Sequence, residues 1–426
     1  MIRPQPIGIS PYPTGLLLLP PVSASPTQET LAGTALADLL RGAIPTEWPD
    51  AWRFYEAAIG GDRDTAMRLL TDSVNANDHA NDHADDRTDD AIAAYNRYVL
   101  AGGEHDRLRA LADGDPIVQA LVHMAAFVMG DEYTERQSPG FDAGLDGELE
   151  GQARLVNASH FLEHGDFATA ATELEAGAVA ARTVSPLLAA QIVAQRAGLD
   201  TVPEDAESRW KDAIALAGET PLPGLLAELL CGQALVVHQI AESRRHRLLE
   251  ATQLYQRALR CGIDRESHPL LWARIQANLG IAYVAMPMSE AGDKLRLAVA
   301  VQAFREALTV YDRETHPEEW ASTMLNMANA MQYMPSAHQQ ENLMQAVEAY
   351  EELLTVRPRA MDPVGYARIL ANQGNALAHL GIFAPAVEKL TEAHKLLHWH
   401  DEADAAQRLL EQLEMINQQI STSGIA

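Results

Sequence analysis

Basic residues are scarce in this sequence. It carries 32 Lys and Arg against 59 Asp and Glu, a formal net charge of −27 at pH 7. Such a surface repels nucleic-acid phosphate and anionic membrane unless basic residues cluster locally, and we find no such Lys/Arg cluster. We therefore expect neither nucleic acid nor a membrane as a partner.

Cysteine is nearly absent, and long hydrophobic runs are missing. Cys231 and Cys261 belong to no CxxC or Cys/His group, which excludes a disulfide framework and a zinc site and fits a reducing compartment. The apolar run at 15–19 is far too short to span a membrane. These features predict a soluble, unprocessed, cytoplasmic protein.

The motifs of common enzymes are also missing. The sequence has no GxGxxG after a strand, no GxxxxGK[ST], no HExxH and no GxSxG. Two histidine groups, at 79 and 83 and at 394–400, lack the shaped surroundings of a metal site, and we interpret them as loop or helix-surface residues. We expect no catalysis, no cofactor and no bound metal.

Prolines separate the first residues from the rest. They predict a proline-rich extended arm at 1–45, because proline denies long helices, and a helical region follows at 46–140. A helical hairpin broken at Gly60 and Gly61 is expected within 50–70. The run NANDHANDHADDRTDD predicts a polar loop at 75–90.

From about residue 150 the sequence repeats itself. A pattern of alanine, a bulky residue four positions later and a small residue three positions after that occurs six times, and this spacing puts all three on one helix face. In the fifth set the last residue is the larger Leu353. The sets are Ala170, Leu174, Gly177; Ala206, Trp210, Ala213; Ala251, Tyr255, Ala258; Ala300, Phe304, Ala307; Ala346, Tyr350, Leu353; and Ala386, Leu390, Ala393.

Each of these helices follows another that carries a small residue, at Ala158, Ala194, Gly232, Gly280, Ala328 or Gly374. Small residues let two helices approach closely while the bulky residue fills the groove between them. Six successive hairpins imply a stack, because one hairpin alone cannot bury its apolar face. Residues 401–426 are predicted to form a capping helix and tail.

This set of small and bulky residues resembles the tetratricopeptide repeat family over 141–400, most closely in YARILANQGNALAHLGIFAPAVEKLTEAHKLL. The resemblance implies an all-α, right-handed superhelical solenoid of helix-turn-helix repeats, preceded here by the extra N-terminal helical region. Units three to five carry six to eight additional residues, so their hairpins are lengthened as in bacterial-type arrays.

Polar residues recur on the first helices of three units. Asn278, Asn326 and Asn372 each lie two residues before the small packing residue, and Arg274 and Arg368 lie four residues before two of them. The resemblance implies that these residues, with Asn329 and Asn375, line a concave groove that binds a partner segment. An asparagine amide can pair with the N–H and C=O of an extended peptide, and an arginine suits acidic groups or a C-terminal carboxylate.

The alternative is that these asparagines only bond the neighbouring helix or cap a turn. We expect a scaffold or adaptor that holds another protein or a peptide segment, as an accessory or chaperone of an enzyme complex. Two other functions stay open: a structural subunit of a larger assembly or homo-oligomer, and a small-molecule-sensing regulator or enzyme that uses the groove.

Overall fold

The computed structural model describes residues 14–19, 30–77, 86–102, 116–129, 145–218, 220–287, 293–334 and 338–423. Within these ranges the chain forms α-helices and short 3-10 turns and no β-strand, so the predicted all-α class is confirmed. The chain divides into two compact units, Met1–Gly232 and Gln233–Ala426. That boundary falls inside the segment 141–400, which we predicted as one array.

The described residues contain eighteen helices, the tenth of which crosses the boundary between the units. They are α1 (Leu31–Leu40), α2 (Arg53–Ile59), α3 (Arg63–Asn77), α4 (Asp86–Ala101), α5 (Pro116–Val128), α6 (Gly147–Glu163), α7 (Phe167–Ala181), α8 (Pro186–Ala197), α9 (Pro203–Ala217), α10 (Pro223–Ala241), α11 (Arg245–Leu259), α12 (Pro269–Ala285), α13 (Asp293–Ala307), α14 (Pro317–Tyr333), α15 (Gln339–Val356), α16 (Pro363–His379), α17 (Phe383–Trp399) and α18 (Ala403–Ser423).

The N-terminal region differs from its prediction in two places. The arm is not extended throughout, because Thr14–Leu16 forms a 3-10 turn and α1 is a ten-residue helix that lies between Pro26 and Pro45. The Thr30 hydroxyl accepts a hydrogen bond from the Gly33 N–H and so caps α1. The polar loop is also shorter than 75–90, since helix continues to Asn77 and resumes at Asp86. His79 and His83 lie outside the described residues.

The predicted hairpin at 50–70 is confirmed as α2 and α3, with Gly60 and Gly61 in the turn. Gly61 has a φ of +77°, a backbone conformation that glycine adopts without a steric penalty. Trp52, Tyr55 and Ala66 are fully buried, as expected of the residues that pack this hairpin.

The repeating pattern forms the buried seam of successive helix pairs. Neighbouring helices pack in chain order, as in α6 with α7, α8 with α9, α12 with α13, α14 with α15 and α16 with α17. All the pattern residues are buried except Trp210, which is half-buried. This arrangement is a repeat of packed helical hairpins.

Small residues allow the closest approaches between paired helices. A methyl group placed on Gly280 would lie 2.6 Å from the Phe304 ring, and one on Gly374 would lie 2.7 Å from Leu390. Both contacts join the two helices of one hairpin, as predicted. Gly232 instead faces Trp210 of the preceding hairpin, where a methyl group would lie 2.4 Å from the indole.

Two connecting loops repeat almost residue for residue, as DRESHP at 264–269 and DRETHP at 312–317. Asp264 Oδ1 accepts hydrogen bonds from the N–H groups of Glu266 (2.9 Å) and Ser267 (2.7 Å). Asp312 Oδ1 accepts the equivalent bonds from Glu314 (2.7 Å) and Thr315 (3.0 Å). The Ser267 N–H and the Thr315 hydroxyl are the main causes that lower the pKa of the respective carboxyl groups. These loops set the starting points of α12 and α14.

Residues Thr14–Leu19, which we call the arm segment, are buried in the first unit. Its four leucines are at most 4 % exposed. They belong to the same hydrophobic core as Trp52, Tyr55 and Tyr95. The apolar run that we noted at 15–19 therefore fills the core of a helical unit.

One described helix, α10, is long and apolar enough to cross a membrane by length and composition alone. Its residues Leu229, Leu230, Ala234 and Val237 are buried within the protein. The core helix of a helical array meets the same criterion.

Candidate functional site

The predicted partner-binding residues all lie on α12, α14 and α16 in the second unit, and α14 is a direct neighbour of both other helices. We call their surface the first-helix face. It carries Arg274, Asn278, Asn326, Asn329, Arg368, Asn372 and Asn375. The two arginines are exposed and the five asparagines are half-buried.

The structure joins two of the asparagines directly. Asn372 Nδ2 donates a hydrogen bond to Asn329 Oδ1 across 2.9 Å, which links α16 to α14. Asn329 Oδ1 also accepts a bond from the Tyr350 hydroxyl at 2.7 Å. Asn329 and Asn372 are therefore held in a fixed orientation by the protein itself.

Asn278 and Asn326 differ from this pair. They occupy the same position on α12 and α14 as Asn372 does on α16, and both are half-buried. Neither side-chain amide forms a hydrogen bond with any residue in the described part of the chain. Each amide offers one acceptor and two donor hydrogens, which suits the backbone of an extended peptide.

The C-terminal helix α18 covers the α16 end of the face. Gln412 Nε2 donates a hydrogen bond to Asn375 Oδ1. Arg368 lies 3.3 Å from Glu402 Oε1, and both side chains are substantially exposed. The alternative that we left open, bonding to a neighbouring helix, thus describes Asn329, Asn372 and Asn375.

An exposed ion pair of this kind contributes at most about 1 kcal/mol, because water screens both charges. Arg368 can therefore exchange Glu402 for a carboxylate of a partner at little cost. Arg274 is exposed on α12, and α14 lies between the two helices that carry these arginines. The face thus presents two cationic side chains in a protein that is otherwise strongly acidic.

The sequence analysis did not identify the residues of neighbouring elements that form hydrogen bonds with the first-helix face. Tyr350, a packing residue of the repeat, is fully buried, and its hydroxyl also lies 3.2 Å from Gln332 Oε1. Burial raises the pKa of Tyr350, since the ionised phenolate would lose its hydration. The signal for this role was the tyrosine at the bulky position of the pattern, because its hydroxyl can form a hydrogen bond that Phe304 and Leu390 cannot form in their units. Ser322, at the place of the arginines on α14, accepts a hydrogen bond from Arg357 at 3.1 Å.

Histidine and cysteine show no metal-site geometry in the described residues, where no group of three or more His, Cys, Asp or Glu could hold a metal ion. The rings of His394 and His398 stack on α17 with centroids 6.1 Å apart. Cys231 and Cys261 are both free thiols, and Cys231 is buried.

Comparisons with known proteins leave the family of this chain open. No protein-family description matches it, and no curated protein matches it. Among solved structures, one similar chain is a Rap protein that was crystallised in complex with competence and sporulation factor. The identity is 11%, the TM-score is 0.37, and the match covers 87% of this chain and 97% of that one. The assignment of the fold above rests on the helices themselves.

Proposed function

We propose that this chain is a non-catalytic, cytoplasmic protein-interaction scaffold that holds an extended segment of a partner protein on the first-helix face. Asn278 and Asn326 would bond the partner backbone. Arg274 and Arg368 would bind its acidic groups or its C-terminal carboxylate. Asn329 and Asn372 would present a fixed pair of amides to the same segment. Asn375 lies at the edge of the face that α18 covers.

The observation that carries this proposal is the pair of half-buried asparagine amides without a partner among the described residues. Partly desolvated amides lose bonds to water, and an unpaired group costs about 1 to 3 kcal/mol when it is fully buried. The same residue type recurs on successive helices of one layer. A partner backbone that follows this layer would satisfy each amide in turn.

A selection from random displayed peptides tests the proposal. The full-length chain is immobilised, and the Asn278→Ala/Asn326→Ala double variant is used for counter-selection. We expect linear peptides that bind the wild-type chain and are lost on the double variant, whose circular dichroism and melting temperature match the wild type. Peptides that bind both proteins equally, or no enrichment at all, would contradict the proposal.

The arginines are tested with a selected peptide that ends in a free carboxylate. We expect Arg274→Ala with Arg368→Ala to weaken binding by about 2 to 5 kcal/mol in a calorimetric titration if both contact desolvated carboxylates. Arg265→Ala with Arg359→Ala is the matched control, because both arginines are exposed in the loops before α12 and α16 and their loss also removes two positive charges. Equal losses for this control variant would assign the effect to general electrostatics.

A further inference from the structure

A buried contact in the first unit has the geometry of peptide recognition. Asn96 on α4 is 0 % exposed, and its amide bonds both backbone groups of Leu18. The Leu18 N–H donates to Oδ1 at 2.8 Å, and Nδ2 donates to the Leu18 carbonyl at 2.9 Å. In an extended chain the two groups of one residue project to the same side, so one amide satisfies both. This contact recognises the backbone of Leu18 and leaves its side chain free to pack.

Two further contacts hold the same segment. Gln152 on α6, which is 6 % exposed, donates from Nε2 to the Gly15 carbonyl at 2.9 Å. The Thr14 hydroxyl lies 3.4 Å from the Ala58 carbonyl of α2. Helices α2, α4 and α6 therefore contact one six-residue segment through its polar groups. We call the residues Ala58, Asn96 and Gln152, with the core around them, the arm site.

The leucines of the arm segment are enclosed on every side. Leu16 ends the 3-10 turn and Leu17, Leu18 and Leu19 follow it, yet all four side chains are at most 4 % exposed. An isolated polar side chain in such a core is costly unless it is hydrogen-bonded. Asn96 and Gln152 are therefore explained by the backbone that they bind, since the packing of the helices alone requires no amide there.

One polar atom of the arm site is left unsatisfied. Gln152 Oε1 is buried and forms no hydrogen bond with any described residue, although the other end of the same amide bonds Gly15. Buried acceptors of this kind are rare, because the lost hydration is not recovered. A segment that supplied a donor beside Gly15 would fit the arm site better than the chain's own segment does.

We propose that the arm site is a second peptide-binding site, which the chain occupies with its own Thr14–Leu19. Its other occupant is a partner protein segment of the same chemistry, with consecutive leucines and the same backbone conformation as Thr14–Leu19. The tether makes the arm segment a competitor with an effective concentration on the order of millimolar. The intact chain is therefore autoinhibited at this site. The first-helix face is separate, so either proposal can fail alone.

Cleavage of the chain between the arm segment and α1 removes the high effective concentration at which the arm segment occupies the arm site. A specific protease site is inserted between Pro20 and Thr30 of the full-length chain, which is cut only after it has folded. A fluorescent peptide with the sequence of residues 12–22 is then added, and its anisotropy is followed. We expect negligible binding to the intact chain at micromolar peptide and saturable binding to the nicked chain. Mass spectrometry should show the release of the chain's own fragment.

A matched peptide tests the geometry without any change to the protein. N-methylation at the residue equivalent to Leu18 removes the N–H that Asn96 accepts and keeps the leucine side chain. We expect binding to the nicked chain to weaken about 5- to 50-fold, which corresponds to one buried hydrogen bond and its unpaired acceptor. N-methylation at the residue equivalent to Gly15 is the control. The structure places the contact there at its carbonyl, so its affinity should change less.

Three results would overturn the inference. If the nicked fragment does not exchange with added peptide, and its removal unfolds the chain, the arm segment is only a permanent part of the core. Equal affinity of the two methylated peptides would refute recognition through Asn96. Stable dimers of the intact chain in light scattering, with the peptide excluded, would show that the site serves exchange of arms between copies.

Discussion

Five asparagine side chains of the described residues differ in what they bond. Asn96 bonds a backbone, Asn329 and Asn372 bond each other, and Asn278 and Asn326 bond no described residue. The chemistry of the amide is the same in each case. What differs is the partner that the fold brings within 3 Å of it.

The close approach at Gly280 can be tested at the level of one methyl group. We expect Gly280→Ala to destabilise the protein by about 1 to 3 kcal/mol in urea unfolding, because the Phe304 ring is fully buried and has little room to move. Gly60→Ala is the control, since the nearest atoms to its new methyl group are 3.5 Å away. Equal effects of the two substitutions would refute the packing argument.

Tyr350 supports the asparagine pair and also adds a pH dependence. Tyr350→Phe should cost about 0.5 to 1.5 kcal/mol at neutral pH, because the bond to Asn329 is lost. Burial raises the pKa of Tyr350 above its ordinary value, so its contribution is full below about pH 10 and is lost as the pH rises further. The variant should therefore lose less stability than the wild type between about pH 9 and pH 11. Parallel pH profiles in chemical denaturation would contradict this assignment.

At the scale of elements, α18 packs on the last hairpin of the second unit, within the segment 401–426 that we predicted as a capping helix and tail. Ala406, Leu409, Leu413 and Ile416 are buried against residues of α16 and α17. The same helix supplies Glu402 and Gln412 to Arg368 and Asn375. The cap therefore both protects the core and covers one end of the first-helix face.

Truncation of a buried leucine tests this cap. We expect Leu413→Ala to lower the free energy of unfolding by about 2 to 5 kcal/mol, as for other core leucines, and to loosen the contacts of Asn375. Met415→Ala on the same helix should change it by less than about 0.5 kcal/mol, because Met415 is 61 % exposed. If the two variants were equally stable, α18 would not be packed as a cap.

At the scale of the whole molecule, the net charge of −27 lowers the stability of the folded state. Like charges repel one another in the compact state, and salt screens this repulsion. We expect the melting temperature to rise as the salt concentration increases from about 10 mM to 100 mM, because screening reduces the repulsion. Each 1 kcal/mol of unfolding free energy that screening restores corresponds to roughly 2 to 4 °C. NaCl and KCl should act equally in a calorimetric scan. A rise with one salt alone would indicate a specific ion site.

The sequence by itself determined the helical repeat. The spacing of alanine, bulky and small residues requires only the period of one helix, so the pairs α6–α7, α8–α9, α12–α13, α14–α15 and α16–α17 were predictable from it. The contact of Gly232 with Trp210 of the preceding hairpin was not. The cap, the hairpin at Gly60 and the recurrence of asparagine on three first helices followed from the same local rules.

Only the tertiary structure decided which polar groups find partners. The bonds of Asn372 to Asn329 and of Gln412 to Asn375 join residues 43 and 37 positions apart, and that of Asn96 to Leu18 spans 78. Periodicity places a side chain on a face but does not fix its distance from a distant segment. The sequence predicted only an extended arm, because prolines govern local conformation. Burial of its four leucines depends on a core that distant helices build.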